Sequence, residues 1–235
     1  NKAVYGWTPS DTWVRENIQS HSPFGKCYPD KEWVFEGDSP SFLYVYANGL
    51  NVPEEPTFGG WGGRFSTYKA KNVDFITRSG NNESQYDPYC MYVSAAEGGE
   101  AIKRWQQEIW NDFAARMAWT TTSEYSAVNH HPTAIVDGHD DMNCIYKKVK
   151  AGRDMEFDAS ASYDPDGNPL DFRWEIYAEP STYKGKVNME NGDSPKCRIH
   201  IPAEASGKSL HVILSLTDRG TPALTAYKRI VVQVL

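Results

Sequence analysis

The segment "FGGWGGRF", residues 58–65, has the residue types of a ligand-binding loop. Four glycines surround Trp61, and Arg64 follows them. An indole with no side chains beside it can pack on the C–H face of a sugar ring, and the arginine can form part of the same wall. Glycine costs folding entropy, so four of them within six residues indicate a steric demand.

The same glycines also fit two roles that involve no sugar. A phosphate cradle is disfavoured because neither the GxGxxG nor the GxxxxGK[ST] pattern is present. A tight structural turn stays open, in which Trp61 anchors the loop in the core and the glycines let other backbone pass close by. The sequence therefore leaves one question about Trp61, which is whether it faces a sugar or the core.

A second candidate is a cation-binding turn in "DPDGN", residues 164–168. Asp164, Asp166 and Asn168 place oxygen atoms at alternate positions of a glycine-containing loop, which suits a hard cation such as calcium. The loop lacks the distal glutamate of an EF-hand. An Asx-type turn, in which the side chains bond their own backbone, accounts for the same residues and is the favoured interpretation.

Two further polar groups fit structural roles better than catalytic ones. His130 and His131 lie close to other residues that could bind zinc, namely Asp137, His139, Asp140 and Asp141. Neighbouring residues on an extended chain point to opposite sides, so the two histidines cannot readily share one ion, and a solvated linker is favoured. Asp112 and Arg116 stand four residues apart, which predicts an ion pair along a helix.

Composition narrows the possible partners. The 235 residues are 40% hydrophobic and carry a formal net charge of −7, with no cluster of lysine or arginine. Nucleic acid is therefore not an expected partner. No segment approaches the roughly 18 apolar residues of a membrane span, and the mean hydropathy is −0.63. Because the chain begins with Asn1 and shows no signal-peptide pattern, we expect a processed chain or a fragment.

The cysteines could either pair or stay reduced. They are spaced too widely for a CxxC metal site. Four cysteines allow three pairings, and the sequence does not choose among these pairings and buried free thiols. The four are Cys27, Cys90, Cys144 and Cys197.

Helical patterns and long loops fill the chain up to about residue 145. Residues 8–20 predict a short helix capped by Thr8 or Ser10, with an apolar face of Trp13, Val14 and Ile18. Residues 42–46 form either a buried strand or part of a short helix that begins at Ser39-Pro40. Residues 98–120 predict the longest helix, with Asp112 outside an apolar stripe of Ile102, Trp105, Ile109, Phe113 and Met117.

The last 85 or so residues read as strands and turns. Apolar residues alternate at Phe172, Trp174 and Ile176, and again at Leu210, Val212, Leu214 and Leu216. About seven short strands with a tryptophan on a central one predict an immunoglobulin-like sandwich. The "DPDG" turn followed by the Trp174 strand resembles bacterial extracellular sandwich modules of the polycystic-kidney-disease type.

Four segments in order carry a wider resemblance: "EGDSPSFLYVYANGL", "PEEPTFGGWGGRF", "RWQQEIWNDFAARMAW" and "NHHP". They resemble the bacterial nucleoside-hydrolase-like family known as cellulose-binding, and the likeness covers nearly the whole chain. It implies an α+β chain: the C-terminal portion of a nucleoside-hydrolase-like α/β domain in residues 1–145, then an immunoglobulin-like β-sandwich in residues 146–235. It also implies a secreted, periplasmic or cell-surface protein whose partner is cellulose, another plant polysaccharide or a derived glycoside.

The resemblance singles out Asp38. Nucleoside hydrolases hold calcium with an N-terminal "DxDxxxDD" cluster and one late aspartate, and this chain lacks the early cluster. Its "GDSPSFL" segment resembles the late motif, so Asp38 is implied to be a calcium ligand or a sugar contact. One carboxylate cannot satisfy a cation that takes six to eight oxygens. A catalytic site of this type therefore needs the missing N-terminal half or a second chain, and the catalytic residues stay unknown.

Three functions follow from these residues. The chain is the C-terminal part of a glycan or glycoside hydrolase, a non-catalytic polysaccharide-binding protein, or a structural module. For the first two we assign substrate contacts to Asp38, Asn48, Trp61 and Arg64. Calcium is the one cofactor expected, at Asp38 or at the 164–168 turn.

Overall fold

Helices and loops form the first part of the structure, a computed structural model that describes residues 9–31, 39–69 and 90–235. The helices are α1 (Asp11–Val14), which continues into a π-helical turn (Arg15–Gln19), α2 (Ser22–Lys26), α3 (Ser39–Leu43), α4 (Glu100–Lys103) and α5 (Gln106–Trp119). Two antiparallel strands, β1 (Phe65–Lys69) and β2 (Cys90–Ser94), lie between α3 and α4. Single 3-10 turns span Pro56–Phe58 and Tyr125–Ala127.

Helix α1 confirms the prediction for the N-terminal segment. The Ser10 hydroxyl accepts a hydrogen bond from the backbone N–H of Trp13 at 3.1 Å, which satisfies one of the free donors at the helix start. Val14 and Ile18 are buried against α5. The segment after Ser39-Pro40, for which strand and helix were both open, is the short helix α3.

The predicted long helix is broken in two, which corrects the sequence interpretation. The backbone leaves helical geometry at Trp105, with φ −110° and ψ 6°, because its fully buried indole packs edge-on against Tyr177 and Tyr227. Beside it, Arg104 pairs with Glu175 at 2.8 Å. Asp112, predicted outside the apolar stripe, is buried. Contacts with later parts of the chain decide both features.

The second part is a β-sandwich. Between residues 145 and 234, all of which the structure describes, the strands are β3 (Ile145–Val149), β4 (Asp154–Asp158), β5 (Leu170–Ile176), β6 (Asn188–Glu190), β7 (Lys196–His200), β8 (Ser209–Asp218) and β9 (Thr225–Val234). They form one sheet of order β3-β9-β8-β5 and another of order β4-β7-β6. Strands β3 and β9 are parallel, and the other pairs are antiparallel. The predicted two-sheet sandwich is confirmed.

Strands β8 and β9 are buried on both faces. The predicted alternating residues, including Trp174 and Leu214, fill the space between the two sheets. The residues of β8 and β9 that alternate with these core residues point the other way and face the helical part. There, Ile213 and Tyr227, with Tyr177, share one cluster with Leu50, Trp61 and Trp105. The two parts of the chain therefore have a common core, and the domain boundary at residue 145 stays a prediction.

A buried arginine crosses this common core. Arg229 is fully buried and donates hydrogen bonds to three backbone carbonyl groups of the helical part, those of Leu50 (2.7 Å), Phe58 (3.2 Å) and Gly59 (2.6 Å). Its Nη1 also donates to Nδ1 of His211 at 3.1 Å. Burial lowers the pKa of Arg229 to about 10, so the guanidinium stays charged at neutral pH. Buried charge is tolerated where hydrogen bonds satisfy it, as they do here.

We expect the Arg229→Met variant to lose about 3 kcal/mol of unfolding free energy, because buried carbonyl groups would lose their donor. Urea denaturation measures the loss. The matched control is Arg219→Met, whose guanidinium pairs with Asp171 at the surface, and its unfolding midpoint should not change. Equal midpoints for the two variants would contradict the role of Arg229.

The stability of the protein should fall in mild acid because of His211. Desolvation, followed by the charges of Arg229 and Lys184, lowers the pKa of His211 to about 3 from its ordinary 6.5. The His211 ring is neutral in the folded protein. Its contribution to the free energy of unfolding is therefore complete above pH 6.5. That contribution is lost as the pH falls below 6.5, because there only the unfolded chain binds the proton. We expect a loss of about 2 kcal/mol by pH 5.

Urea titrations at pH 7.5 and pH 5 test this. The His211→Asn variant keeps an acceptor for Arg229 and should show a smaller pH dependence than the parent chain. The exposed His139 provides the control, since His139→Asn should keep the parental slope. An unchanged slope in His211→Asn would show that another group carries the acid sensitivity.

Candidate functional site

Trp61 lies in the core, which answers the question that the sequence left open. Its side chain is 1% exposed and stacks on Tyr46, with ring centres 5.5 Å apart and planes inclined by 17°. The indole Nε1 donates to the Tyr227 hydroxyl at 3.2 Å. The ring has no face free for a sugar, so the assignment of Trp61 as a substrate contact is corrected to that of a core anchor.

The glycines around Trp61 meet a packing demand rather than expose the indole. At Gly60 a Cβ would lie 2.0 Å from Oδ1 of Asn51, the atom that accepts the backbone N–H of Trp61 at 2.9 Å. Arg64 follows the loop and donates to both carboxylate oxygens of Glu97, at 2.8 and 2.7 Å. These hydrogen bonds lower the pKa of Glu97. The Arg64 side chain thus holds the loop to the segment before α4.

Asn48 also has a structural position. Its Oδ1 accepts the backbone N–H groups of Leu50 and Asn51, both at 3.0 Å, and its carbonyl accepts the N–H of Tyr227 at 3.1 Å. Gly49 beside it has φ +82°, and a Cβ there would lie 2.0 Å from the Tyr227 carbonyl oxygen. Asn48 is buried, so no face of it is open to a substrate. Asp38, the fourth predicted contact, lies outside the described residues.

The 164–168 turn has the hydrogen bonds of an Asx-type turn. Oδ1 of Asp164 accepts the backbone N–H groups of Asp166 (3.0 Å) and Asn168 (2.8 Å). The Asp166 carboxylate binds His130, and the Asn168 side chain donates to Asn129 at 3.1 Å. Oδ2 of Asp164 is buried without a partner in the described structure. Calcium takes six to eight oxygen ligands, and this turn has one carboxylate oxygen without a partner. Calcium binding at this turn stays a prediction.

The two adjacent histidines point to different carboxylates. Nδ1 of His130 lies 3.1 Å from Oδ1 of Asp166, while Nε2 of His131 lies 3.0 Å from Oδ1 of Asp112. They do not share a site. Within residues 9–31, 39–69 and 90–235, no three histidine, cysteine or acidic side chains are grouped to hold a metal ion. The thiols of Cys27, Cys144 and Cys197 are free.

An apolar groove of about 260 Å³ lies between α3 and α5. Its walls are apolar and mostly aromatic, and comprise Phe42, Leu43, Tyr46, Ile109, Trp110 and Phe113. Its polar groups are Ser39, Asp112 and Arg116. We refer to these nine residues as the α3–α5 groove. Phe42, at the surface, is 65% exposed.

A charged network fixes the polar side of the α3–α5 groove. Arg116 Nε donates to Oδ2 of Asp112 at 2.8 Å, which confirms the predicted ion pair. The Tyr46 hydroxyl lies between them, bonded to Arg116 and 3.3 Å from Oδ1 of Asp112. Desolvation alone would raise the pKa of Asp112, but the hydrogen bonds of His131 and Arg116 outweigh it and hold that pKa below its usual value. The carboxylate is thus a fixed anion.

Sequence reasoning missed most of the α3–α5 groove. Its only signal was the spacing of Asp112 and Arg116, which was assigned to a helix surface. Phe42 and Tyr46 are also four residues apart, but residues 42–46 were compatible with a strand as well. No sequence pattern links His131 to Asp112, because that contact depends on how the segment after α5 turns back along the helix.

A second cavity, of about 420 Å³, lies where the helical part meets β5. Its charged side chains include Glu97, Arg104, Glu175 and Glu179. These four are paired: Glu97 with Arg64, and Arg104 with Glu175 and Glu179. The pairing makes this cavity a junction between the two parts of the chain.

None of the helices that the structure describes has both the length and the apolar character needed to cross a bilayer.

Comparison with known proteins agrees with this architecture. Residues 5–65 match the family "Cellulose-binding Sde182, nucleoside hydrolase-like domain", and residues 154–234 match "Cellulose-binding protein Sde0182, C-terminal domain". A solved nucleoside hydrolase-related protein from Saccharophagus degradans, described as associated with carbohydrate metabolism, is 40% identical with a TM-score of 0.87. The alignment covers 99% of this chain and 56% of that one, so the chain spans just over half of its relative.

More distant matches cover less than half of the chain. The PKD domain of the KIAA 1837 protein is 14% identical over 43% of this chain and 87% of that domain, with a TM-score of 0.30. Human CDH23 EC21-23 is 14% identical over 44% of this chain and 33% of its own, with a TM-score of 0.32. Likeness at this level does not define the fold. No curated protein matches the chain.

The shared core, the order of the two parts and the structural match define a nucleoside-hydrolase-related protein with a β-sandwich after its helical part. Both family matches occur in the expected order along the chain. The chain therefore belongs to the Sde182 family of cellulose-binding, nucleoside hydrolase-like proteins.

Proposed function

We propose that the chain binds a neutral polysaccharide of the cellulose type, and that the α3–α5 groove receives one of its sugar rings. The observation that carries this proposal is the groove itself, which combines aromatic walls with a fixed polar side. Sugar rings present an apolar C–H face and a rim of hydroxyl groups, so such a site complements both. The family's description as cellulose-binding supports the same ligand.

The polar side of the groove suits hydroxyl groups. Nη1 of Arg116 has no partner among the described residues, whereas Nε and Nη2 are held by Asp112 and Tyr46. A guanidinium oriented in this way can donate to a sugar oxygen without a large loss of side-chain freedom. The Asp112 carboxylate is balanced by Arg116, so the site favours neither anions nor cations. A chain with a net charge of −7 also favours a neutral ligand over an acidic one.

The size of the groove indicates how much ligand it holds. Its volume of about 260 Å³ lies near the lower end of small-molecule sites, which are roughly 300–1,000 Å³. We therefore assign it one ring of a longer chain, with the rest of the polymer outside. Since cellulose is found outside cells, the proposal includes a secreted, periplasmic or surface location.

Isothermal titration with cellohexaose tests the groove. We expect Phe42→Ala to weaken binding about tenfold, because the exposed ring contributes stacking area. Phe24→Ala is the matched control: this ring, on α2, is 73% exposed and lies outside the groove, so affinity should be unchanged. Equal affinity of the parent chain and Phe42→Ala would remove the groove from the binding site.

A second function is supported by the position of the α3–α5 groove. Helix α3 begins at Ser39, directly after Asp38, and Ser39 lines the groove. The Saccharophagus relative is longer than this chain, so a longer precursor has room for the missing aspartate cluster. We propose that in such a precursor this groove forms one wall of a glycosidic-bond hydrolase site. Calcium, held there by Asp38 and the added aspartates, would activate water.

Hydrolysis assays separate binding from catalysis. A precursor that includes the preceding residues should release reducing sugar or free base, whereas this chain alone should not. We expect Asp38→Asn or EDTA to lower that activity by more than about a hundredfold, because calcium would lose its ligand or be removed. Asp193→Asn, at an exposed position of the sandwich, is the control. A precursor that binds cellohexaose but stays inactive would leave only the binding function.

A further inference from the structure

Three aromatic rings form a stack at the end of α5. The outermost is Tyr125, which is 57% exposed and lies parallel to the His130 imidazole, with ring centres 3.6 Å apart and planes inclined by 1°. His130 in turn stacks on Trp119, at 5.6 Å and 13°. One face of Tyr125 is therefore covered by His130, and its exposed area belongs to the outer face and edge.

Hydrogen bonds fix the stack from both sides. The Trp119 Nε1 donates to the carbonyl of Asn129 at 2.7 Å, which ties the indole to the chain just before His130. The backbone N–H of His130 donates to Oδ2 of Asp166 at 2.7 Å, and its ring Nδ1 lies 3.1 Å from Oδ1. The stack thus spans α5, the segment after it and the 164–168 turn, so Tyr125 rests on an ordered support.

The surroundings of Tyr125 disfavour an anionic ligand. Desolvation first, and then the nearby charges of Asp166 and Asp164, raise the pKa of Tyr125. The Asp166 carboxylate lies against His130, on which Tyr125 stacks. Carboxylates repel anions, which disfavours a phosphate or an acidic peptide as the partner. A neutral ligand is therefore favoured at this surface.

We propose that Tyr125 forms a second carbohydrate platform that packs against the flat face of a neutral, β-linked sugar ring. The ligand class rests on the proposed function, but the place is different, since Tyr125 does not line the α3–α5 groove. A ring already held in position loses little freedom on binding, which favours affinity.

Arg116 connects the platform to the groove. Its guanidinium lies 5.2 Å from the ring centre of Trp119 at the base of the stack, and the same residue lines the α3–α5 groove. The groove and the base of the stack therefore share one residue, and we expect one long polysaccharide chain to contact both places. Two linked contacts strengthen retention on a polymer more than affinity for a short oligosaccharide.

Five variants of the chain test the platform, with cellohexaose titrations and retention on swollen amorphous cellulose as measurements. We expect Tyr125→Ala to weaken retention about tenfold, and Tyr125→Phe to keep it, because the ring face is what binds. Tyr146→Ala is the control, since Tyr146 on β3 is 63% exposed and lies outside the stack. Phe42→Ala, combined with Tyr125→Ala, should lower retention further than either change alone.

The results separate the two proposals. Loss in Phe42→Ala with full retention in Tyr125→Ala overturns the platform and keeps the groove. Loss in Tyr125→Ala alone keeps the platform and overturns the groove. A parent chain that neither binds cellohexaose nor is retained overturns both. Sedimentation velocity covers the remaining case: if Tyr125→Ala abolishes self-association but not sugar binding, the surface is an interface between copies of this chain and the platform is rejected.

Discussion

The buried guanidinium of Arg229 is the contact on which the arrangement of the chain depends. It reaches from a central strand of the sandwich to three backbone carbonyl groups of the helical part. A buried charge in this position requires those acceptors, so the loop that carries them is tied to the strand by hydrogen bonds. The neutral His211 ring completes the set of acceptors.

The Arg229 contact determines the shape of the glycine-rich loop. With Phe58 and Gly59 fixed by Arg229, the next turn inserts Trp61 between Tyr46 and Tyr227. Tyr46 then stands over Trp61 and places its hydroxyl between Asp112 and Arg116. The sandwich is therefore more than a spacer, because it supports the side chains that line the α3–α5 groove.

The two proposed carbohydrate surfaces have the same arrangement of polar contacts. In each, a carboxylate is held by neighbouring donors, and an aromatic ring lies beside it with one side open. Asp112 is held by Arg116 and His131, and Asp166 by His130. Fixed polar groups beside a flat ring are the features that neutral sugars need, whereas a basic surface would be required for a polyanion.

The sequence by itself determined the local elements and the family. Ser10 marked the first helix, the alternating residues of β5 and β8 gave the sandwich core, and the motifs in order identified the family, because each depends on residues close together in the chain. Only the tertiary structure decided that Trp61 faces the core, that Arg64 bonds Glu97 and that Asp112 is buried. These outcomes rest on contacts between distant residues, such as Trp61 with Tyr227 and Asp112 with His131. A local sequence pattern does not specify which distant residue will pack on a side chain. The glycines around Trp61 were therefore equally compatible with a ligand loop and with a core anchor.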